Sequence, residues 1–584
     1  MPGSYQMMNL FGFQVDGMDI DGFLALPRLT FVVLVLIGAA ILARGAGDGL
    51  RSRLVLGLAA VGHLLAWFAT MFPLGNVYGA NGSMDRENHL GWANVVASGF
   101  SPLYTSQVNH LHFEPLWPLL AGLASGFNPD RVYAFFMWTP LIVGLALLWS
   151  VHTAWSRIEE ERGSMGTGAA FAALGALLLM AAPGDFSGPF RNPWALTFLL
   201  KPNHALGLVL VPLAILAIAR ANSWKSRLFA GFILQLVGWA FVIHMVLVVA
   251  GLAVFVALAW LERRRDRVTD LIDVGTAVGV NLLIVSPYLL MLVVAYPFLE
   301  GNVPNTLPPL SERPIEAPLR MGVLFLLGAF GAWNAHRGGH RLARMFASQW
   351  LAAQLIWQLF PLLGLIGQAR EQDEAFYWCR FWSGLFAGFG VWRLSLVILD
   401  RLRIGRLWTG ERLHGTAATL SLIFLLPSLV PSWWDPKTMD QYFVAALEPL
   451  PDWIAEPTRF IRTRTPREAV FAGDRNYARW VGAYGARRVL LSNALNLPND
   501  HVRRKEIEQA LFRSGPEALR IEGRDRYSIQ YLLVTSRPLE QDRELTLDQL
   551  KSLPYLETVY DRDFLSARVV ILKVLAAGAP HDRQ

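Results

Sequence analysis

Two acidic residues, Asp85 and Glu87, stand in the stretch NGSMDRENHLGW (81–92), directly after an apolar segment and at the start of a long loop. A carboxylate in such a place can take a proton from a reacting hydroxyl, hold a metal ion, or be solvated among lipid headgroups. The same spacing recurs at Asp19 and Asp21, so spacing alone does not choose between these roles. Asp185 and Glu374 are reserve acids in two other polar segments.

Two histidines and a third acid follow in the same loop, in the stretch HLHFE (110–114). His110, His112 and Glu114 alternate, so their side chains share one face only if the backbone is extended. The spacing does not match a zinc motif such as H-E-x-x-H. Metal ligation, contact with an acceptor or carrier, and packing at the membrane interface therefore all stay open for these residues.

The elements that carry these residues are set by composition. Of 584 residues, 53% are hydrophobic and only 17% are charged, and the mean hydropathy is +0.35. Long apolar segments predict a polytopic α-helical membrane protein, since a membrane span needs about 20 mostly apolar residues. About twelve spans are expected, at residues 29–44, 54–73, 131–154, 167–183, 204–220, 227–243, 245–261, 271–294, 318–335, 346–366, 377–398 and 415–430.

Arginine and lysine cluster in alternate loops, such as 262–267 and 401–412, which predicts that these loops are cytoplasmic. The Asp85 loop and the C-terminal segment then lie on the opposite side of the membrane. The net charge of +7 is explained by this topology and gives no reason to expect nucleic-acid binding. Cys379 is the only cysteine, so no disulfide within the chain is possible.

The apolar segments stop near Trp433, and this position divides the predicted domains. Residues 1–432 form the membrane domain, with an external loop at about 74–130. Residues 433–584 contain short strand-like segments (EAVFAG, RRVLLS, IQYLLVTS and ARVVILKV) and one helical segment, DHVRRKEIEQALFRS. This pattern predicts a small extracytoplasmic α/β domain.

The loop resembles a known family. An acid after an early span, an SPLY turn, the proline-flanked EPLWPLL and the helix NPDRVYAFFMWTPLIVGLALLW resemble the first external loop of the GT-C glycosyltransferases, which include protein O-mannosyltransferases and lipid A aminoarabinose transferases. AFYWCRFWSGLFAGFG is a weaker similarity. The resemblance covers residues 80–155 at the level of motifs and most of the chain at the level of architecture.

The resemblance implies an inverting transfer of a sugar from a polyprenyl-phosphate donor to a glycan, lipid or protein acceptor at the outer face of the plasma membrane. Asp85 would be the general base, with Glu87 sharing a metal ion or orienting the acceptor. The donor phosphate would be held by Arg380, Lys201, Arg191 and Arg370. Acceptor or sugar contacts would come from His110, His112, Glu114, Tyr104, Tyr377 and His204. The metal site is unknown, and a divalent ion, Mg²⁺ or Mn²⁺, is the candidate cofactor.

The cations could also have purely structural roles. Arg380, at the start of a span, could form a salt bridge to Asp373 or Glu374 or extend to the membrane interface. Two other functions also stay open. A transporter or flippase of lipid-linked sugars predicts charges along a path through several spans, and the predicted spans carry few. A non-catalytic scaffold for envelope assembly predicts that Asp85 is freely replaceable.

Overall fold

The structure is a computed structural model. It describes residues 20–71, 84–110, 114–160, 166–181, 202–295, 316–356, 369–402, 410–434, 452–473, 475–492, 500–512, 515–536 and 545–575. Four predicted site residues, His112, Asp185, Arg191 and Lys201, lie outside the described residues. For four others the structure describes the helical backbone position but not the side chain: Asp85, Arg370, Glu374 and Tyr377.

The chain divides by its contacts into two compact units. The helical unit comprises Met1–Gly75, Thr139–Pro287 and Glu300–Gln441. The sheet unit comprises Asn76–Trp138, Tyr288–Leu299 and Tyr442–Gln584. This grouping differs from the predicted division at residue 432, because the loop predicted to be part of the membrane domain belongs with the C-terminal segment.

Long apolar helices make up the helical unit, and α5 and α10 also contribute residues to the sheet unit. The helices are α1 (Ile20–Ala43), α2 (Asp48–Met71), α5 (Pro129–Glu160), α6 (Thr167–Ala181), α7 (Pro202–Ala219), α8 (Trp224–Ala240), α9 (Val242–Leu261), α10 (Arg267–Ala295), α11 (Glu316–Arg337), α12 (Arg341–Gln354), α13 (Ala369–Arg401) and α14 (Gly410–Trp434). Each of the twelve predicted spans overlaps one of them within the described residues.

Within the described residues, four helical segments are long and apolar enough to cross a membrane by length and composition: Trp138–Glu160, Pro202–Ala219, Val242–Leu261 and Trp378–Arg401. The helices Leu29–Ala43 and Thr167–Leu177 are apolar but shorter. The described residues are thus mostly helical, with four candidate membrane spans, while the count of twelve spans stays a prediction.

Helix α13 packs closely against two neighbours through glycines. A Cβ atom at Gly388 would collide with the backbone carbonyl of Phe171 on α6, and one at Gly390 with the carbonyl of Leu327 on α11. Small residues let helix backbones approach each other, which is the main means of helix association in a membrane. The FAGFG part of the predicted span therefore specifies packing on both sides of α13.

Charged side chains join four helices at one end of the helical unit. Arg227 on α8 and Arg341 on α12 both bind the fully buried Asp273 of α10, at 2.7 and 2.6 Å. Arg341 also binds Asp270 at 2.8 Å and donates a hydrogen bond to the carbonyl of Ala219 on α7. Each buried carboxylate thus has an arginine partner, as a charge away from water requires.

The sheet unit contains five strands in the order β2-β1-β3-β5-β4. Strands β1, β2 and β3 are mutually parallel, while β5 is antiparallel to both β3 and β4. The strands are β1 (Val470–Gly473), β2 (Arg488–Val489), β3 (Ile529–Thr535), β4 (Leu556–Asp563) and β5 (Arg568–Val574). The helices are α3 (Met84–Ala97), α4 (Leu116–Ala124), α15 (Asp452–Arg464), α16 (Arg475–Ala483), α17 (His501–Phe512), α18 (Glu517–Tyr527) and α19 (Leu547–Lys551).

Four of the strands and α17 coincide with the elements that the sequence predicts, so a C-terminal α/β sheet is present. Alternating strand residues enter two apolar cores, one on each face. Phe471, Leu533 and Ile571 pack with α15 and α16 and with residues of α3 and α4. On the other face, strand residues pack with α17, α18 and Val108 of the loop.

The loop also extends the sheet. The N–H of Val108 donates to the carbonyl of Val489 in β2 at 2.9 Å, and the N–H of Val489 donates to the carbonyl of Ser106 at 2.8 Å. Gln107 thereby pairs in parallel with the edge strand β2. Because the loop supplies helices to one face, an apolar residue to the other and a pairing partner at one edge, the loop and the C-terminal segment form one folded unit.

Candidate functional site

Helix α3 carries both acids of the opening motif. Asp85 is its second residue, so the acid is in the first helical turn. Glu87 follows two residues later, which places the two positions about 200° apart around the helix axis. An α-helix does not bring residues with this spacing onto one face. The structure therefore gives no support for a metal ion shared by the two acids.

The side chain of Glu87 is buried against α16. Its carboxylate accepts a hydrogen bond from Trp480 Nε1 at 2.9 Å and forms an ion pair with Arg479 Nε at 2.8 Å. The side chain of Glu87 is 2% exposed and that of Arg479 is 12% exposed. The guanidinium group of Arg479 also lies over the Trp480 ring, 5.2 Å from the ring centroid.

A second polar contact joins the same two helices. Asn94 Nδ2 donates to the carbonyl of Ala483 at 2.7 Å and to that of Gly482 at 3.3 Å. Asn94 follows Glu87 by seven residues, and the buried Leu90 lies between them. Residues with this spacing share one helix face, so the contact face of α3 is set by Glu87, Leu90 and Asn94.

His110 is buried in the turn that ends the described segment 84–110. Its Nδ1 lies 2.9 Å from Thr105 Oγ1, and the N–H of Thr105 donates to the carbonyl of His110 at 2.8 Å. Burial, and then the positive charge of Arg504, lowers the pKa of His110 to about 3. The imidazole is therefore neutral at physiological pH.

The other predicted contact residues of the loop differ in exposure. Tyr104 is 40% exposed, whereas Glu114 is buried. The exposed ring of Tyr104 could stack on a sugar, whereas the carboxylate of Glu114 is shielded from solvent. Within the parts of the chain that the structure describes, no group of three or more His, Cys, Asp or Glu side chains could hold a metal ion. The candidate Mg²⁺ or Mn²⁺ ion stays a prediction.

Two predicted residues of the helical unit have described side chains, Arg380 and His204, and both lie in its interior. Arg380 on α13 is 2% exposed, and its neighbour Cys379 accepts a hydrogen bond from Gln354 Nε2 at 2.8 Å. His204 in the first turn of α7 is buried and stacks on Phe241, with ring centroids 3.7 Å apart. A buried arginine is costly unless an anion or hydrogen-bond acceptor meets its charge.

A solved structure shares this fold. ArnT from Cupriavidus metallidurans, bound to undecaprenyl phosphate, superposes with a TM-score of 0.50 and 15% sequence identity over 90% of this chain and 98% of that chain. The chain shares the fold of ArnT. The predicted resemblance to the GT-C glycosyltransferases is thereby confirmed at the level of the fold.

The oligosaccharyltransferase AglB from Archaeoglobus fulgidus, in complex with an inhibitory peptide and a dolichol-phosphate, is also similar. Its TM-score is 0.48, with 14% identity over 83% of this chain and 69% of that chain. No family model matches the sequence, and no curated protein matches it.

The ArnT-like fold contains contacts that the sequence did not reveal. Arg504 on α17 is 1% exposed, pairs with Asp500 at 2.7 Å and donates to the carbonyls of Val108 and Leu490. Although burial opposes it, the hydrogen bond from Tyr527 and the charge of Arg504 lower the pKa of Asp500. Nothing in the helical segment 500–514 distinguishes Arg504 from its exposed neighbour Arg503 except its spacing from apolar residues.

Proposed function

We propose that the chain is a membrane glycosyltransferase that moves a sugar from a polyprenyl-phosphate donor to an acceptor at the outer face of the plasma membrane, with inversion at the sugar carbon. The observation that carries the proposal is the fold shared with ArnT over nearly the whole of that protein, whose structure holds undecaprenyl phosphate. The α-helical architecture with its α/β sheet supports the same activity.

The chemistry of the proposed reaction is one displacement. The acceptor hydroxyl gives its proton to Asp85 while its oxygen bonds to the sugar carbon. The bond from that carbon to the phosphate oxygen breaks, and the polyprenyl phosphate leaves with the electron pair. A single displacement from the far side of the carbon inverts its configuration.

The cations Arg380, Lys201, Arg191 and Arg370 are proposed to bind the phosphate. Arginine suits this role because its planar guanidinium group can bond two phosphate oxygens at once. The buried position of Arg380 near the start of the apolar segment Trp378–Arg401 supports the proposal, since a desolvated guanidinium group gains most from an anionic ligand. Arg380 is therefore the first residue to test for donor binding.

The proposed acceptor or sugar contacts are Tyr104, Tyr377, His110, His112, His204 and Glu114. Tyr104 is the best placed of those with a described side chain, because its ring is exposed. His110 would act only as a neutral group, given its lowered pKa. Asp185 and Glu374 remain the reserve acids if Asp85 is not the base.

The test is sugar transfer by the purified protein in lipid, with radiolabelled polyprenyl-phosphate sugars as donors and membrane extract as acceptor. Asp85→Asn should lower kcat at least about a hundredfold with donor binding unchanged, the effect expected for a positioned base. Asp452→Asn is the matched control, since Asp452 is an exposed acid in the first turn of α15 and should be replaceable.

If Asp85→Asn and Asp452→Asn lower kcat equally, Asp85 is not the base and acts only as a negative charge that stabilises the start of its helix. Transfer by Asp85→Asn at the wild-type rate would move the base to Asp185 or Glu374. If the wild type transfers no label but moves the carrier lipid across the bilayer, the protein is a transporter and the proposed transferase activity is wrong.

A further inference from the structure

Glu87 is one of the two acids that the sequence motif offers for catalysis, yet its carboxylate is already engaged on both oxygens. Oε1 accepts the hydrogen bond from Trp480 Nε1, and Oε2 forms the ion pair with Arg479. To take a proton from an acceptor, the carboxylate would have to leave Arg479 without its counter-charge in a buried position. Such a loss is unfavourable, so Glu87 is poorly suited to proton transfer.

The partners of Glu87 come from a segment about 390 positions later in the chain. Its contact to α16 is repeated one heptad further along α3, where Asn94 donates to the last carbonyls of α16. Two polar contacts on one face, with Leu90 buried between them, fix both the rotation of α3 about its axis and its distance from α16. The position of Asp85 follows from that rotation, because the two acids share one rigid helix.

We propose that Glu87 is a positioning residue through which the C-terminal segment sets the orientation of the helix that carries Asp85. The ion pair between Glu87 and Arg479 holds one face of α3 against α16. Position 85, about 200° further around the axis, is then directed away from that contact. This inference rests on the proposed function for its catalytic consequence, but its structural part can be measured without any transfer activity.

The experiment is a double-mutant cycle with the full-length protein in lipid, using Glu87→Gln, Arg479→Gln and the combined variant. Each single change removes the buried ion pair between Glu87 and Arg479 and should lower kcat about tenfold, with the donor KM within about twofold of wild type. The double variant pairs two neutral amides and should recover most of the lost kcat. If Glu87 were instead a catalytic residue, the double variant would be as inactive as Glu87→Gln.

A second readout separates this inference from the proposed function. Amide hydrogen exchange of peptides from residues 84–97 should be at least about tenfold faster in either single variant and should return towards wild type in the double variant. Arg503→Gln is the matched control, since Arg503 on α17 forms ion pairs at the surface with Glu506 of the same helix and with Glu522 of α18. That control should change neither exchange nor kcat.

The outcomes are distinct. Unchanged exchange in both single variants would overturn the positioning role, whatever the activity. Faster exchange with rescue in the double variant, in a protein that transfers no sugar, would support the positioning role while rejecting the proposed function. Faster exchange together with a kcat that the double variant does not recover would return Glu87 to the catalytic residues.

Discussion

His110 shows how burial determines what a polar residue can do. Its pKa of about 3 lies below the ordinary value of 6.5, so the unfolded chain binds a proton at a higher pH than the folded one. The stability that depends on neutral His110 is therefore complete above about pH 6.5 and is lost as the pH falls towards 3. Between pH 7.5 and pH 5 the sheet unit should lose about 2 kcal/mol of stability.

The measurement is hydrogen exchange of peptides from 488–492 at the two pH values, after correction for the intrinsic effect of pH on exchange. His110→Gln is the control, because an uncharged amide keeps a hydrogen-bonding group there but has no proton to gain. The predicted difference between pH 7.5 and pH 5 should disappear in this variant. An equal difference in both proteins would mean that another group titrates.

The acids of α3 show the limit of sequence reasoning at the scale of single residues. Asp85 and Glu87 could be selected from the sequence because charge beside an apolar segment is visible there. Their separate roles could not be predicted, since the partners of Glu87 are Arg479 and Trp480, far away in the chain. Arg504 was missed for the same reason, because its acceptors are carbonyl groups brought together only by folding.

At the scale of elements, the close packing at the glycines of α13 predicts how a substitution there changes stability. Gly388→Ala should destabilise the helical unit by about 1–3 kcal/mol, because the new methyl group would meet the carbonyl of Phe171 on α6 and force the helices apart. Cys379, the only cysteine, is buried on the same helix. Its reaction with a fluorogenic thiol reagent during heating therefore reports unfolding, and the midpoint should fall by at least about 2 °C.

Gly279→Ala provides the matched control for this prediction. Gly279 is exposed on α10, and a Cβ atom there would have open space around it. Alanine is the better helix former, so this variant should melt at or slightly above the wild-type temperature. The packing argument fails if Gly388→Ala and Gly279→Ala melt together.

Elements with a strong hydrophobic pattern were predicted well, whereas elements defined by pairing were not. Each of the twelve apolar segments overlaps a helix within the described residues, and four strands with buried residues were placed correctly. Strand β4 was missed because it is an edge strand whose residues after Leu556 are mostly exposed and charged. The strand-like pairing of Ser106 and Val108 depends on β2 and has no local signal.

At the scale of the whole molecule, the contacts group the chain differently from the order of its segments. The predicted division at residue 432 follows the end of the apolar segments. The contacts instead group residues 76–138 with the C-terminal segment. Both apolar faces of the five-stranded sheet must be buried by other elements. Helices α3 and α4 bury part of one face. Long-range burial of this kind leaves no trace in local composition.

If the loop and the C-terminal segment fold as one unit, a change in one should loosen the other. Arg504→Gln removes the ion pair with Asp500 and the hydrogen bond to the carbonyl of Val108. We expect a loss of about 1.5–3 kcal/mol, because the buried carbonyls of Val108 and Leu490 lose their charged hydrogen-bond donor. Hydrogen exchange should then rise in parallel in peptides from 84–110 and 488–492, whereas Arg503→Gln, one residue earlier and exposed, should leave both unchanged. Exchange that rises only in 488–492 would show that the loop is folded independently, and the C-terminal segment could not then control the helix that carries Asp85.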